Sequence, residues 1–142
     1  MKVELPKKKK RDNFTEAQFQ SKVTAWLKIN AWGSFPYELK ISQGGTINFK
    51  AFQPQQIPAL YRARTGIQHH KMTDASIGTK PYDAFVFKKS LAYVGLLFNA
   101  KTNHKVCYFI DIIDIVKLIN NGDKSISEEV AIKVATTIGQ LK

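Results

Sequence analysis

The sequence predicts a single α/β domain, with a central mixed β-sheet flanked by helices. Three observations lead there. Apolar residues change period along the chain, from helical spacing at Phe19, Val23, Trp26 and Leu27 to strict alternation in Tyr37-Glu38-Leu39-Lys40-Ile41. Strand-sized apolar runs then recur between helix-like ones, in the order helix, two or three strands, helix, more strands. A length of 142 residues with 44% hydrophobic content fits one domain with a core of its own.

Residues 1–12 are charged, contain Pro6 and show no periodicity, so a disordered basic tail is expected ahead of a domain over 13–142. Thr15-Glu16-Ala17-Gln18 has the spacing of a capping box and opens a helix over about 15–29. Glu16 falls in its first turn, on the side of the apolar stripe, where a carboxylate complements the helix dipole. Gly33 and Pro36 break the chain before a strand over 37–42. Gln43-Gly44-Gly45 reads as a hairpin turn, with Thr46-Ile47-Asn48-Phe49 returning beside that strand. A helix follows over about 55–64, provided that Pro58 falls in its first turn. Ile67 to Met72 reads as a strand and Asp74 to Pro81 as a loop. Tyr82–Phe87 and Leu91–Phe98 are expected to form a hairpin around Lys88-Lys89-Ser90. Val106–Ile112 continues the sheet, 113–120 is helical, and Ser127 caps a last helix running to Gln140. Asp111 and Asp114 suit the cap of the 113–120 helix. Cys107 and the aromatics Phe85, Phe87, Tyr93, Phe98, Tyr108 and Phe109 are core candidates.

Charge points to a partner. Twenty-two basic residues face 11 acidic ones, a net charge of +11. Six basic residues against one acidic in Met1–Arg11 give that tail +5 and leave +6 for the rest, so the basicity is not confined to the tail. A polyanion is the natural partner, nucleic acid first. Lys7, Lys8, Lys9, Lys10 and Arg11, together with Lys50, Arg62 and Arg64, are the candidate phosphate contacts. No apolar run approaches the roughly 20 residues of a membrane-spanning helix, and no apolar stretch follows the basic N-terminus. A cytoplasmic protein with no membrane partner is therefore expected, in the host cytoplasm if the source is viral. In a eukaryotic source Pro6-Lys7-Lys8-Lys9-Lys10-Arg11 would serve as a nuclear-import signal.

The candidate chemistry lies in the alternating run. Glu38 and Lys40 stand on one face of a strand, while Tyr37, Leu39 and Ile41 stand on the other. Metal-dependent phosphodiester cleavage needs carboxylate oxygens to hold Mg²⁺ or Mn²⁺, and a nearby ammonium can steady the attacking water or the charge on phosphorus. An ordinary solvated strand face carries the same residues. Glu16 heads a helix just upstream, and Gln55-Gln56-Ile57-Pro58-Ala59-Leu60 follows. With these elements the chain resembles the PD-(D/E)XK nuclease superfamily, in particular its Holliday-junction-resolvase-like branch, over about residues 14–115. Glu16 matches the helix glutamate of that family, Glu38-Leu39-Lys40 its acidic-x-Lys element, and Gln56 to Leu60 its glutamine helix.

The resemblance implies a restriction-endonuclease-like core, Mg²⁺ or Mn²⁺ as cofactor, branched DNA as substrate and a homodimer, in a class whose small basic versions are common in phages. Its catalytic set here would be Glu16, Glu38, Lys40, Gln56 and Asp83, with Glu38, Asp83 and Asp74 as metal ligands. The family's aspartate ahead of the acidic-x-Lys element has no counterpart, because no acidic residue lies between Ala17 and Tyr37. Asp83, directly after Pro81-Tyr82, is the first candidate to replace it and Asp74 the second. A second alignment begins at Pro81-Tyr82-Asp83 and puts Asn99-Ala100-Lys101 on the acidic-x-Lys element, with a neutral side chain in place of the acid. That alignment implies a non-catalytic nucleic-acid-binding protein on a nuclease fold, associated with a virion, transcription or recombination. Beside the His69-His70 pair, whose side chains alternate, no Cys/His cluster, Gly-rich loop or Ser/His/Asp arrangement competes for the site.

Overall fold

The structure is a computed structural model that describes residues 14–30, 35–71, 84–88, 90–99 and 105–141; for 68–71 and 84–88 the description is of the backbone. The basic tail, Asp74 and Asp83 lie outside the described residues.

Helix α1 (Glu16–Asn30) begins where its capping box predicts. Thr15 N–H donates to Gln18 Oε1 at 2.9 Å, and Gln18 N–H donates to Thr15 Oγ1 at 3.2 Å. Strand β1 (Tyr37–Ser42) follows. Strand β2 (Thr46–Asn48), a short 3₁₀ turn (Phe49–Ala51) and helix α2 (Gln56–Thr65) come next, with Pro58 in the first turn as expected. Strands β3 (Ile67–Lys71), β4 (Ala84–Lys88), β5 (Tyr93–Phe98) and β6 (Val106–Asp111) lead into helix α3 (Ile112–Asn120). Strand β7 (Ser125–Ser127), helix α4 (Glu128–Val134) and strand β8 (Thr137–Gln140) complete the order.

The central sheet is mixed and four-stranded, in the order β1-β5-β6-β8. β1 runs parallel to β5, and the β5–β6 and β6–β8 pairs are antiparallel. Helices cover both faces, as the sequence predicts. On one face Phe19 and Val23 of α1 pack against Leu39, Leu97, Cys107 and Phe109. On the other, Val94, Leu96, Phe98, Tyr108 and Ile110 pack against Leu60 and Ala63 of α2, Ile112 and Ile115 of α3, and Ala131 of α4. No helix among the described residues is long and apolar enough to cross a membrane.

Two expected strand pairings and one helix length differ. β2 does not return beside β1 in a hairpin. The Ser42 hydroxyl donates to the Thr46 carbonyl at 2.7 Å and accepts from Gly44 N–H at 3.0 Å, turning the chain out of the sheet. β2 instead pairs with β7, which sets buried Ile47 opposite buried Ile126. β4 and β5 form no hairpin either: β4 pairs with β3, while β5 joins β1 and β6. Val94 to Phe98 are all buried, so β5 is a central strand that needs a partner on each side. The last helix is shorter than expected. Ser127 caps α4, its Oγ accepting from Val130 N–H at 3.3 Å, but the chain turns extended at Ala135. β-branched Thr136, Thr137 and Ile138 then continue as a sheet edge, with Thr136 N–H donating to the Phe109 carbonyl at 2.8 Å.

Helix α3 carries its predicted cap. Asp111 Oδ1 accepts from Ile113 N–H at 2.9 Å, and Asp114 sits in the first turn beside Lys117. Its C-terminus closes in a Schellman arrangement, Gly122 N–H to Ile119 O at 3.0 Å and Asp123 N–H to Leu118 O at 3.1 Å. Gly122 takes φ 93°, where a Cβ would be strained.

Candidate active site

The alternation in β1 does what it predicts. Leu39 faces α1 and is buried, while Glu38 and Lys40 stand on the opposite face, beside Val94 and Leu96 of β5. β1 is an edge of the sheet, so this charged pair lies at the margin of the core rather than under it. The two side chains are 27% and 20% exposed, and Lys40 Nζ is 3.1 Å from Glu38 Oε1.

Helix α2 brings the third group. Gln56 opens the helix, and its Nε2 donates to Glu38 Oε1 at 2.8 Å, joining residues 18 apart in the chain. The amide is oriented from behind: Gln56 Oε1 accepts from Gln53 N–H at 2.8 Å, which leaves only its NH₂ to face the carboxylate. Among the described residues both donors to Glu38 fall on Oε1, which leaves Oε2 for a further ligand. The Lys40 ammonium also lies over the ring of Phe52, 5.3 Å from its centroid. Phe52 is 7% exposed and follows the 3₁₀ turn, where its N–H donates to Phe49 O at 3.2 Å.

The structure thus brings together Glu38, Lys40 and Gln56 of the sequence-predicted set. Glu16 is exposed in the first turn of α1, and that helix packs on the other face of the sheet. Lys50 is exposed on the 3₁₀ turn two residues before Phe52, and Arg62 is exposed on α2. Arg64 is half-buried, and its Nε donates to Asp111 Oδ2 at 3.1 Å. Asn99 is a structural tie, donating through Nδ2 to Phe14 O and to Gln43 Oε1, each at 3.2 Å. Sequence reasoning did not single out Phe52 or Gln53 for the site. The three-residue spacing of Gln53 and Gln56 repeats that of the Thr15–Gln18 box and is the signal that could have found the second of these.

Mg²⁺ is held by one or two carboxylates plus water and phosphate oxygens, so a free carboxylate oxygen beside an ammonium and an amide donor suits it. Glu38 supplies that oxygen. Among the described residues, no group of three His, Cys, Asp or Glu side chains stands together to hold a metal. Elsewhere in the core, burial pushes the Cys107 thiol up, so it stays protonated and is no nucleophile. Burial and a hydrogen bond to Glu128 push the Tyr108 hydroxyl up to about 12. A separate apolar cleft of about 310 Å³, lined by Trp26, Phe35, Tyr93 and Phe109 among others, opens on the α1 side with no acidic residue in its wall.

No protein-family model matches the chain, and neither does any curated protein or solved structure.

Proposed function

We propose that the chain is a Mg²⁺- or Mn²⁺-dependent endonuclease that cleaves phosphodiester bonds in branched or structured DNA, on a restriction-endonuclease-like core and as a homodimer. The observation that carries this reading is the convergence of Gln56 Nε2 and Lys40 Nζ on a single oxygen of Glu38, at 2.8 and 3.1 Å. A solvated strand face would hold the Glu–Lys pair, but it gives no reason for an oriented amide from a separate helix.

In this reading Glu38 Oε2 and Asp83, with Asp74 as the substitute, would hold the ion. The ion supplies charge neutralisation at phosphate and a more acidic bound water. Gln56 fixes the Glu38 carboxyl by its bond to Oε1, and Oε2 would meet the ion. Lys40 places a positive charge beside the attacking water and the developing phosphorane. Glu16, on the helix that covers the opposite face of the sheet, would take no part in holding the ion. Lys50 and Arg62, with Lys7 to Arg11, would bind phosphates along the duplex arms. Arg64 would join them only by leaving Asp111.

The test is cleavage of four-way junction, flap and linear DNA by purified protein, with Mg²⁺ or Mn²⁺ and with chelator. Metal-dependent cutting that Glu38→Ala and Lys40→Ala each lower by at least about 100-fold is expected, as for loss of an electrostatic catalytic group. Intact substrates under every metal condition refute the reading.

One observation favours a second reading, a non-catalytic DNA-binding protein on the same fold: no acidic residue lies between Ala17 and Tyr37, where the family's aspartate would stand. That reading is supported if junction DNA stays intact while binding persists and weakens steeply with salt.

A further inference from the structure

We propose that Phe52 is a positioning residue of the Glu38–Lys40–Gln56 site, holding the Lys40 ammonium through the face of its ring. The inference rests on the endonuclease reading for what the ammonium does, but the holding itself can be measured without cleavage.

The Lys40 side chain is a flexible four-carbon stem that ends in a strongly hydrated point charge. Its pair with Glu38 is about a quarter exposed, so water still weakens it, and the pair restrains only the end of the stem. Phe52 adds a second restraint: Nζ lies 5.3 Å from the ring centroid, within the range in which a ring quadrupole attracts a cation. The ring in turn is well anchored. It is 7% exposed and clusters with Ile47 and Leu60. Its backbone is pinned by the 3₁₀ turn, where Asn48 Oδ1 accepts from Lys50 N–H at 2.9 Å and Phe52 N–H reaches Phe49 O. One residue later, Gln53 N–H orients the Gln56 amide. A single short connection between β2 and α2 therefore places both groups that meet at Glu38 Oε1: the ammonium through the Phe52 ring, and the amide through the Gln53 backbone.

A side chain that only filled the core here would be replaced well by leucine. The aromatic face is what leucine lacks, and fluorination removes its negative potential without changing its shape. The experiment compares the full chain carrying Phe52, Phe52→Leu, and 4-fluoro-, 3,5-difluoro- and 3,4,5-trifluorophenylalanine at position 52. Two quantities are read on Lys40: the ring-current shift of its ε-methylene protons, and the rate at which a limiting acetylating reagent labels its amine relative to exposed Lys50. In the parent those ε-methylene protons are expected upfield of the same protons of exposed Lys50, and the amine is expected to label slowly. Phe52→Leu abolishes the upfield shift and speeds labelling roughly three- to tenfold, as loss of a partly desolvated cation–π contact implies. The fluorinated series moves labelling stepwise toward the leucine value, which a purely structural role would not do. Metal-dependent cleavage of junction DNA falls in the same order. If Lys40 labelling is flat across the fluorinated series, the proposal is overturned, whatever happens to cleavage. If labelling follows the series but the parent cuts no DNA, the positioning stands and the endonuclease reading fails.

Discussion

Replacing Asp111 with alanine removes two bonds that meet on one carboxylate. Oδ1 caps α3 by accepting from Ile113 N–H at 2.9 Å, and loss of such a cap costs about 1 kcal/mol. Oδ2 accepts from Arg64 Nε at 3.1 Å, with the two side chains 17% and 32% exposed. The guanidinium left behind is a third open to water and rehydrates, so this bond contributes nearer 1 kcal/mol than the several expected of a fully buried pair. The sum is about 2 kcal/mol, or a fall of about 1 M in the urea midpoint at an unchanged m-value for a chain of this size. Asp111→Asn keeps a capping oxygen but loses the charge, and is expected to cost about half as much. Arg64→Ala, combined with Asp111→Ala in a double-mutant cycle, should return a coupling of about 1 kcal/mol. A second readout is independent of stability. The Tyr93 hydroxyl is held up first by burial and then by the Asp111 charge, with Arg64 opposing, so it should ionise at lower pH in Asp111→Ala. Equal urea midpoints for parent and Asp111→Ala, with no coupling to Arg64, would refute the reasoning.

Two further outcomes are expected. Gly95→Ala places a Cβ 2.6 Å from Leu39 Cδ2 and 3.1 Å from Cys107 Sγ in a packed layer, which should cost about 1–3 kcal/mol in a urea titration, part of it recovered by Leu39→Val in the same chain. Tyr108 favours its neutral form when folded, its pKa rising from an ordinary 10.0 to about 12. Its contribution is therefore complete below pH 10 and is lost as pH rises toward 12, so stability should fall less steeply over that window in Tyr108→Phe than in the parent.

The capping box of α1 and the alternation of β1 are legible in the sequence, while strand pairings and the end of the last helix are not. Thr15 and Gln18 announce the start of α1 because a capping box is satisfied within four residues. Leu39 announces its own burial, and Glu38 and Lys40 their shared face, because a strand has period 2 and β1 has one polar side. The partners of each strand depend on which buried faces must meet. Ile47 leaves β1 for Ile126, and the uninterrupted run at Val94–Phe98 marks a strand buried on both faces without naming its neighbours. In the site, Gln56 stands out because Gln56-Ile57-Pro58-Ala59-Leu60 resembles the glutamine helix of the nuclease superfamily. Phe52 does not, because a cation–π contact between residues 12 apart leaves no pattern in the chain.

The position of the pair in the sheet explains why a charged site is affordable here at all. On β5, where Val94 to Phe98 are all buried, an ion pair would lose most of its hydration and cost several kcal/mol per charge before any attraction was counted. On a fully solvated face the same pair would be screened and would hold nothing in place. Among the described residues β1 lies between these limits because it is an edge strand whose polar side is covered by Phe52 and the start of α2. α2 is fixed at both ends: Gln56 to Glu38 at its first turn, and Arg64 to Asp111 at its last. The Arg64–Asp111 bond holds the end of α2 away from the site. Loosening it should free the last turn of α2, while buried Leu60 and Ala63 and the Gln56–Glu38 bond keep the first turn in place, so Lys40 labelling should stay at the parent rate in Arg64→Ala.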